Sequence, residues 1–351
     1  MIDYAEPPIE IGLLTLGDRM PDPSTGKTQT EAERHRSIVE QAVHAEQLGF
    51  DAVHLGEHHL SDYMLSSPPV VLAAIGERTS SLKLSTGVTL TATLDPLRVA
   101  EDYATVDVLS GGRAEIVAGR GSYFQKTFAA FGRDAADSAD LFAENTELLV
   151  RLLRETDVHW QGNFRTGFDG VTSRPRPVGP MPVWIGGGSS KRTVALAARL
   201  GAPLMLPSVF AAPEAFGPIV DFYREQWAEA GHAAAPQVGA CCHCHVAPES
   251  QVARDRFQTW YQNYWEWVQD LVTEFTPGAP RLPFDRDTLY AGPALVGSPA
   301  ELIDRVGAWR EGLGITRQLF MFDLGGIPQP TLFATLDLFG AEVVPQLTGL
   351  G

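Results

Sequence analysis

The segment EQAVHAEQLGFDAVHLGEHHL, residues 40–60, contains the unit from which the fold can be inferred. Val39, just before this segment, and Val43, Ala45 and Leu48 within it recur at helical intervals. Gly49 is a typical residue just beyond a helix C-terminus. The apolar run that follows, residues 51–57, has the length and composition of a buried strand. A helix, a tight turn and a buried strand in this order predict one step of a parallel α/β fold.

The same unit recurs along the whole chain. Strand-like runs occupy residues 9–16, 51–57, 82–90, 114–119, 182–187, 203–208, 237–246 and 316–322. Helix-like segments lie at roughly 30–48, 68–79, 96–109, 138–154, 190–200, 212–230, 249–270 and 299–312, with a last helix near 329–346. Eight strands that each precede a helix predict an α/β fold closed into a (β/α)8, or TIM, barrel. An open doubly wound sheet is the alternative, although no glycine fingerprint follows the first strand.

Two segments are longer than ordinary loops. Residues 155–181 and 270–298 are rich in Pro, Gly and Arg, and each follows a predicted helix. Neither has the strand and helix pattern of a separate domain. We therefore predict a single barrel domain over residues 1–351 with insertions in these two places.

The composition restricts the partners of the protein. With 27 basic and 43 acidic residues the formal charge is −16, which argues against nucleic acid or an anionic membrane as a partner. No run of 18 apolar residues occurs, and the first residues lack the layout of a signal peptide. All three cysteines lie between residues 241 and 244, which does not suit a secreted disulfide framework. A cytoplasmic location is therefore expected.

Polar residues follow several of the predicted strands. The second strand ends in Glu57, His58 and His59, and the fourth runs into Arg120, which lies between two glycines. Reactive groups of a barrel collect at the C-terminal ends of its strands, so these residues are expected at one mouth. The combination of glycines, hydroxyls, a cation and imidazoles suits a large anionic cofactor.

The end of the fifth strand is the clearest candidate for a phosphate site. Gly186–Gly188 permit close approach of the backbone, while Ser189, Ser190 and Thr193 supply hydroxyls at the start of a helix. The free amides of that helix are suitable donors to an anion. The alternatives are a simple N-capping serine after flexible glycines and, for Arg120, an ordinary surface arginine.

The Glu-His-His sequence is a candidate for acid–base chemistry, because an imidazole exchanges protons near pH 7. The helical zinc motif H-E-x-x-H is absent. Adjacent residues of a strand face opposite ways, so at most one of His58 and His59 is expected to face the pocket.

The sequence CCHCHV, residues 241–246, resembles a metal site at first sight. On a strand, however, the side chains of Cys241, His243 and His245 face one way, and those of Cys242 and Cys244 face the other. The five side chains therefore cannot converge on one ion, although a three-ligand Cys-x-His-x-His face stays possible. We predict no metal, with packing on one face and lining of the barrel mouth on the other.

The segment RFQTWYQNYWEWV, residues 256–268, carries aromatic side chains at helical spacing. Such a stripe is typical of a core or dimer surface, and contact with a substrate is the alternative.

Several ordered motifs resemble the bacterial luciferase-like monooxygenase family. They are AEQLGFDAVHLGEHHL, SSPPVVLAAIGERTSSLKLSTGVTL, DPLRVAEDYATVDVLSGGRAEIVAGRG, MPVWIGGGSSKRTVALAARLGAP, LVGSPAELIDRV and LDLFGAEVVPQL. The resemblance spans nearly the whole chain and weakens across 155–180 and 208–298. It implies a (β/α)8 barrel that binds FMN in its C-terminal mouth, usually as a dimer.

The resemblance also implies roles for individual residues. His58 matches an acid–base histidine near the reactive edge of the flavin, with Glu57 beside it in the cofactor site. Arg120 matches an arginine that contacts the FMN phosphate, and Tyr123 a tyrosine beside the flavin. Further phosphate contacts are implied at the helix start, by Gly188, Ser190, Thr193 and Ser189, where Ser189 replaces a glutamate of luciferase.

Two features of the third and fourth strands follow from the same resemblance. Many family members carry a non-prolyl cis peptide under the flavin, which by position joins Gly87 and Val88. Luciferase has a reactive cysteine where this chain has Gly119, a departure that weakens a light-emitting role.

The function implied is that of an FMN-dependent monooxygenase. Reduced FMN from a separate flavin reductase reacts with O2 to give a C4a-hydroperoxide, which oxygenates a small organic substrate while His58 moves protons. A homodimer is the expected assembly. The alternatives are an F420-dependent oxidoreductase that transfers hydride, a flavin-binding protein without turnover and, as an outsider, a metal-dependent hydrolase.

Overall fold

The computed structural model describes residues 8–121, 124–209 and 211–349. Its strands are β1 (Glu10–Thr15), β2 (Ala52–Leu55), β3 (Lys83–Thr86), β4 (Thr89–Leu90), β5 (Ile116–Gly119), β6 (Val158–Trp160), β7 (Phe168–Val171), β8 (Val183–Gly186), β9 (Leu204–Met205), β10 (Val238–Val246), β11 (Leu295–Gly297) and β12 (Arg317–Met321). Its α-helices are α1 (Glu31–Gln47), α2 (Pro68–Gly76), α3 (Pro96–Ser110), α4 (Gln125–Ala130), α5 (Ser138–Arg154), α6 (Lys191–Arg199), α7 (Gly217–Ala230), α8 (Ser250–Phe275), α9 (Arg286–Ala291), α10 (Pro299–Leu313), α11 (Gln329–Glu342) and α12 (Val344–Thr348).

Nine parallel strands form a nearly closed barrel. They pair in the order β3-β2-β1-β12-β10-β9-β8-β5-β4, and a parallel bridge between Leu84 and Ala114 links β3 to β5. β3 and β4 are two parts of the single strand predicted over residues 82–90, interrupted at Gly87 and Val88. The predicted eight-stranded barrel is therefore confirmed, and the open doubly wound sheet is excluded.

Both predicted insertions contain secondary structure of their own. Within residues 155–181, β6 and β7 pair as an antiparallel hairpin. Within residues 270–298, α8 continues to Phe275, α9 follows, and β11 adds to β10 in parallel. The predicted end of helix 249–270 is wrong, because the helix continues to Phe275. Leu271 and Phe275 are buried and extend its apolar face beyond residue 270.

Local sequence signals account for the helix boundaries near the site. Asp95 caps α3 by accepting from the amide of Leu97 at 2.9 Å, and Gly111 ends that helix with a φ of 73°. At α1, Thr30 and Glu33 form a reciprocal capping box. Among the described residues, no helix has both the length and the apolarity needed to cross a bilayer.

A buried ionic cluster joins the strands near their N-terminal ends. Arg317 on β12 is 2% exposed and reaches Glu115 at 2.7 Å and Glu10 on β1 at 2.8 Å. Its guanidinium also lies over the ring of Trp184 on β8, 4.2 Å from the centroid. Since these residues come from widely separated parts of the chain, the cluster ties opposite sides of the barrel together.

The side chains of β10 alternate as predicted. Cys242 and Cys244 pack into the core between strands and outer helices, whereas Cys241 belongs to the core inside the barrel. His243 Nδ1 lies 2.9 Å from the hydroxyl of Tyr261, and His245 stacks on Phe257. Both histidines are fully buried. Packing against α8 therefore replaces the predicted lining of an open mouth.

We predict that replacing Arg317 with methionine destabilises the fold by about 3–5 kcal/mol, because Glu115 is left buried without its cation. Urea unfolding monitored by far-UV circular dichroism measures this change. Arg199→Met, which removes an exposed ion pair with Glu147 at 2.8 Å, is the matched control and should change the stability by less than about 1 kcal/mol. Equal effects of the two variants would contradict the structural role of the buried cluster.

Candidate active site

The Glu-His-His segment begins where β2 leaves the sheet. The amide of Gly56 donates to Thr15 at 2.9 Å, and that of Glu57 donates to Val88 at 3.0 Å. A Cβ at Gly56 would lie 2.1 Å from Leu16 Cδ2, so only glycine permits this close approach. Backbone contacts with both neighbouring strands thus fix the position of the three polar residues that end the strand.

The two carboxylate oxygens of Glu57 have different hydrogen-bond partners. Oε1 lies 2.7 Å from Nε2 of His59, and Oε2 accepts from the amide of Leu90 at 3.0 Å. Glu57 is 4% exposed, so these two partners satisfy a carboxylate that has little access to water. The carboxylate connects the end of β2 to the interrupted third strand and holds His59 away from His58.

His58 occupies an aromatic environment. Its ring stacks on Tyr63 with 4.1 Å between centroids, and Phe124 meets it edge-on at 4.8 Å. Burial, and secondarily the proximity of His59, lower the pKa of His58 to about 3. The imidazole is therefore neutral at pH 7, and one of its ring nitrogens carries no proton.

The interrupted strand and its neighbours form a close-packed wall beside His58. The peptide bond between Gly87 and Val88 is cis, as the resemblance implied. A Cβ at Gly119 would lie 2.1 Å from Val88 Cγ2, and one at Gly186 would lie 3.0 Å from Val88 Cγ1. The valine side chain thus fills the space that a cysteine at position 119 would need.

Arg120 and the start of α6 lie side by side. β5 and β8 pair with Ala118 opposite Ile185, so the residues that follow both strands emerge together. Arg120 is half-buried and makes no hydrogen bond or ion pair with any other residue that the structure describes. Its guanidinium is available to a ligand.

The N-terminus of α6 is electropositive. Ser190 caps it by accepting from the amide of Thr193 at 3.4 Å, and no acidic residue lies in the first turn. Ser189 is exposed beside the cap. A Cβ at Gly188 would lie 2.9 Å from the ring of Phe216, so this glycine is also required for packing. A helix N-terminus that follows glycines is typical of an anion site, because the helix dipole favours negative charge and glycines let the ligand come close to the backbone amides.

The structure brings the predicted segments together along one arc of the mouth. The ends of β2, β4, β5 and β8 carry, in turn, Glu57 to His59, Leu90, Arg120 and Gly186 to Thr193. Tyr123 lies outside the described residues. The sequence patterns did not predict the aromatic residues around His58, which are Tyr63, Phe124, Trp267 and Phe275. Only Trp267 lies in one of the quoted motifs, and nothing in that motif connects it to His58.

A buried charged cluster at the same end of the barrel was also missed. Arg34 lies 2.7 Å from Asp323 and 3.6 Å from Asp18, and Thr15 donates to Asp323 at 2.6 Å. Burial raises the pKa of Asp18 to about 7, and Arg34 opposes that rise. The cluster borders a cavity of about 410 Å³ between the first loop and the N-terminal parts of α1 and α11.

Comparisons with known proteins agree with this geometry. The family described as luciferase-like monooxygenase matches residues 9–317. The chain is similar to a 4-hydroxyprotoasukamycin monooxygenase from Streptomyces nodosus subsp. asukaensis, at 28% identity over 89% of this chain and 86% of that protein. It is also similar to the oxygenase component of a flavin-dependent trigonelline monooxygenase from Acinetobacter baylyi, at 22% identity over 91% of this chain and 92% of that one.

Solved structures share the barrel. The monooxygenase RslO1 from Streptomyces bottropensis gives a TM-score of 0.83 at 26% identity, covering 96% of this chain and 99% of that one. An F420-dependent secondary alcohol dehydrogenase, solved with an F420–acetone adduct, gives a TM-score of 0.74 at 19% identity, covering 97% and 99%. At that identity the second likeness concerns the fold alone.

We predict that Glu57→Ala lowers the free energy of unfolding by about 1–3 kcal/mol, because the amide of Leu90 is left buried without its acceptor. Thermal and urea unfolding measure the loss. His59→Ala removes the other partner but leaves Leu90 satisfied, and it serves as the control with a smaller effect. A larger loss of unfolding free energy for His59→Ala than for Glu57→Ala would contradict the stabilising role of the hydrogen bond between Glu57 and Leu90.

Proposed function

The chain belongs to the luciferase-like monooxygenase family, and we propose from this premise that it is the oxygenase component of a two-component flavin-dependent monooxygenase. In this proposal a separate reductase supplies reduced FMN, and the protein uses O2 to oxygenate a small organic substrate. The similarity to an oxygenase component from Acinetobacter baylyi supports the need for a reductase. The observation that carries the proposal is that Arg120, which has no hydrogen bond or ion pair within the described parts of the chain, lies on the same arc as the N-terminus of α6 and a neutral histidine packed against aromatic rings.

The residues present fit the phosphate end of a flavin nucleotide. The guanidinium of Arg120 has no hydrogen-bond or ion-pair partner among the residues that the structure describes, and α6 presents its N-terminus without an acidic side chain in the first turn. We propose that Arg120, Ser189, Ser190 and Thr193 hold the phosphate, with Gly188 permitting its close approach. An arginine is well suited to this contact because its fork of donors matches phosphate oxygens.

The residues on the other side of the arc fit the flavin ring and the reaction. Gly87 and Val88 form a wall against which a flat ring can lie, and Tyr123 is proposed to lie beside that ring. When bound, the reduced flavin supplies the two electrons needed to place one oxygen atom of O2 on the substrate and release the other as water. Glu57 holds this wall in place, because its carboxylate accepts a hydrogen bond from the amide of Leu90 on the same interrupted strand.

His58 is the proposed catalytic residue. Its imidazole is neutral at pH 7 because burial lowers its pKa, so it begins the reaction with one ring nitrogen protonated and the other unprotonated, and we propose that these nitrogens relay a proton during the reaction. The rings of Tyr63 and Phe124 cover part of the imidazole, which limits the access of water to a reactive centre beside it.

The same barrel carries F420 chemistry in relatives, so F420-dependent hydride transfer is the second candidate. Similarity to F420-dependent proteins, including the dehydrogenase of the same fold, is the observation behind it. Separate binding titrations with reduced FMN and with F420 discriminate the two, and we expect the tighter binding with FMN.

A homodimer is the proposed assembly. Val70 on α2 is 68% exposed, and Val108 and Leu109 on α3 are 48% and 55% exposed. Since α2 and α3 pack against each other, these apolar side chains are available to a second copy.

We predict that Arg120→Ala weakens binding of reduced FMN by roughly 10- to 100-fold, the loss expected for a charge-assisted phosphate contact of about 1.5–3 kcal/mol. Anaerobic fluorescence titration measures it. Riboflavin, which lacks the phosphate, should bind both proteins alike. Arg192→Ala is the matched control, because Arg192 begins the same helix but pairs with Asp140. An equal loss for FMN and riboflavin would refute a phosphate contact by Arg120.

We predict that His58→Gln leaves the affinity for reduced FMN nearly unchanged but lowers product formation on the order of 10²- to 10⁴-fold, the usual contribution of an acid–base residue. The assay combines the protein with a flavin reductase and a panel of aldehydes, ketones and phenols. His59→Gln is the control and should retain most of the activity. Full activity of His58→Gln would remove this residue from the mechanism.

A further inference from the structure

The 26-residue helix α8 contacts the surroundings of His58 at two places. Tyr264 and Phe275 are eleven residues apart, which is about three helical turns, so both lie on one face of the helix. Each meets a different aromatic residue that in turn contacts the His58 ring. The helix comes from the part of the chain where the family motifs are weakest.

The first connection passes through Tyr63. The hydroxyls of Tyr264 and Tyr63 are 2.9 Å apart, and both side chains are buried. Tyr63 stacks on His58 with an interplanar angle of 25°, so the plane of one ring sets the plane of the other. Trp267, one turn further along α8, meets the edge of Tyr63 at 4.7 Å and prevents it from tilting.

The second connection passes through Phe124. Phe275 meets Phe124 edge-on with 5.6 Å between centroids, and Phe124 meets His58 at 81°. Lys126 on α4 pairs with Glu274 and lies over the Phe275 ring, which ties the short helix after Phe124 to α8.

Ring packing orients His58, whereas a hydrogen bond orients its neighbour. His59 is held by Glu57 at 2.7 Å, but within the described parts of the chain no hydrogen bond to the His58 imidazole occurs. Titratable groups near the site are Glu57 and His59 on the same loop, together with Tyr63 and Tyr264. The charge of Asp18 acts on both tyrosines, and that of Asp323 acts on Tyr264. Lys126 and Glu274 neutralise each other.

We propose that α8 is a positioning element of the active site, in which Tyr264 and Phe275 hold the imidazole of His58 through Tyr63 and Phe124. The proposal rests on the proposed function only in calling His58 catalytic. It makes Tyr264 and Phe275 positioning residues, since neither contacts the imidazole itself. It also connects the region after β10, where the family motifs are weakest, to His58, so a substitution in this helix can change the orientation of His58 without changing a residue at the barrel mouth.

Histidine ring NMR tests the proposal on the whole protein without flavin or substrate. Protein labelled with ¹³C in the histidine rings is titrated, and the His58 signal is assigned by its loss in His58→Gln. We expect Tyr264→Phe and Phe275→Leu each to shift this signal and to raise the pKa of His58 by about two units, a 100-fold change in proton affinity. Both substitutions free the ring and admit water, and burial is the main cause of the low pKa in the parent protein.

Tyr261→Phe is the matched control, because Tyr261 lies on the same buried face but its hydroxyl contacts His243. It should leave the His58 signal and its pKa unchanged. The proposal is overturned if Tyr264→Phe and Phe275→Leu, folded by circular dichroism, leave the His58 signal where Tyr261→Phe leaves it. A separate titration with reduced FMN tests the proposed function, which is contradicted if the protein binds no flavin. The NMR result decides the role of α8 whatever that titration shows.

Discussion

The carboxylate of Glu57 is the interaction on which the active end of this barrel depends. One oxygen accepts from Leu90 at the far side of the interrupted third strand, and the other binds His59. A barrel strand that is interrupted leaves its edge amides without ladder partners, and a buried amide must find an acceptor elsewhere. Glu57 supplies that acceptor from the neighbouring strand. The other oxygen holds His59 in place, whereas His58 packs against Tyr63 and Phe124.

The mouth that results is divided by polarity. Arg120 and the N-terminus of α6 give one end a positive potential, and the rings of Tyr63 and Phe124 give the other an apolar environment. A flavin nucleotide has the matching division, with an anionic phosphate tail and a flat reactive ring. The strongly acidic chain as a whole does not attract such an anion, so the local positive groups must do so. This division is the physical basis of the proposed function.

The sequence predicts the barrel well because its signals are local. Short apolar runs, the Pro96 and Gly111 boundaries of α3 and the alternation along β10 need no knowledge of distant partners. The surroundings of His58 are set differently: Tyr63 meets Tyr264, 201 residues away, and only the closed fold determines that contact. The dual role of Glu57 is hidden for the same reason, since its partner Leu90 lies on another strand. Periodicity marked the aromatic stripe of α8 but not its connection to the active site.

Oxygen-isotope labelling tests the central claim most directly. The protein, a flavin reductase, FMN and a panel of aldehydes, ketones and phenols are incubated under ¹⁸O2, and the products are analysed by mass spectrometry. The account predicts a product that carries one ¹⁸O atom from O2 and that fails to form without FMN or O2. Conversion of a substrate with no oxygen taken from O2, or conversion that requires F420 instead of FMN, would contradict it.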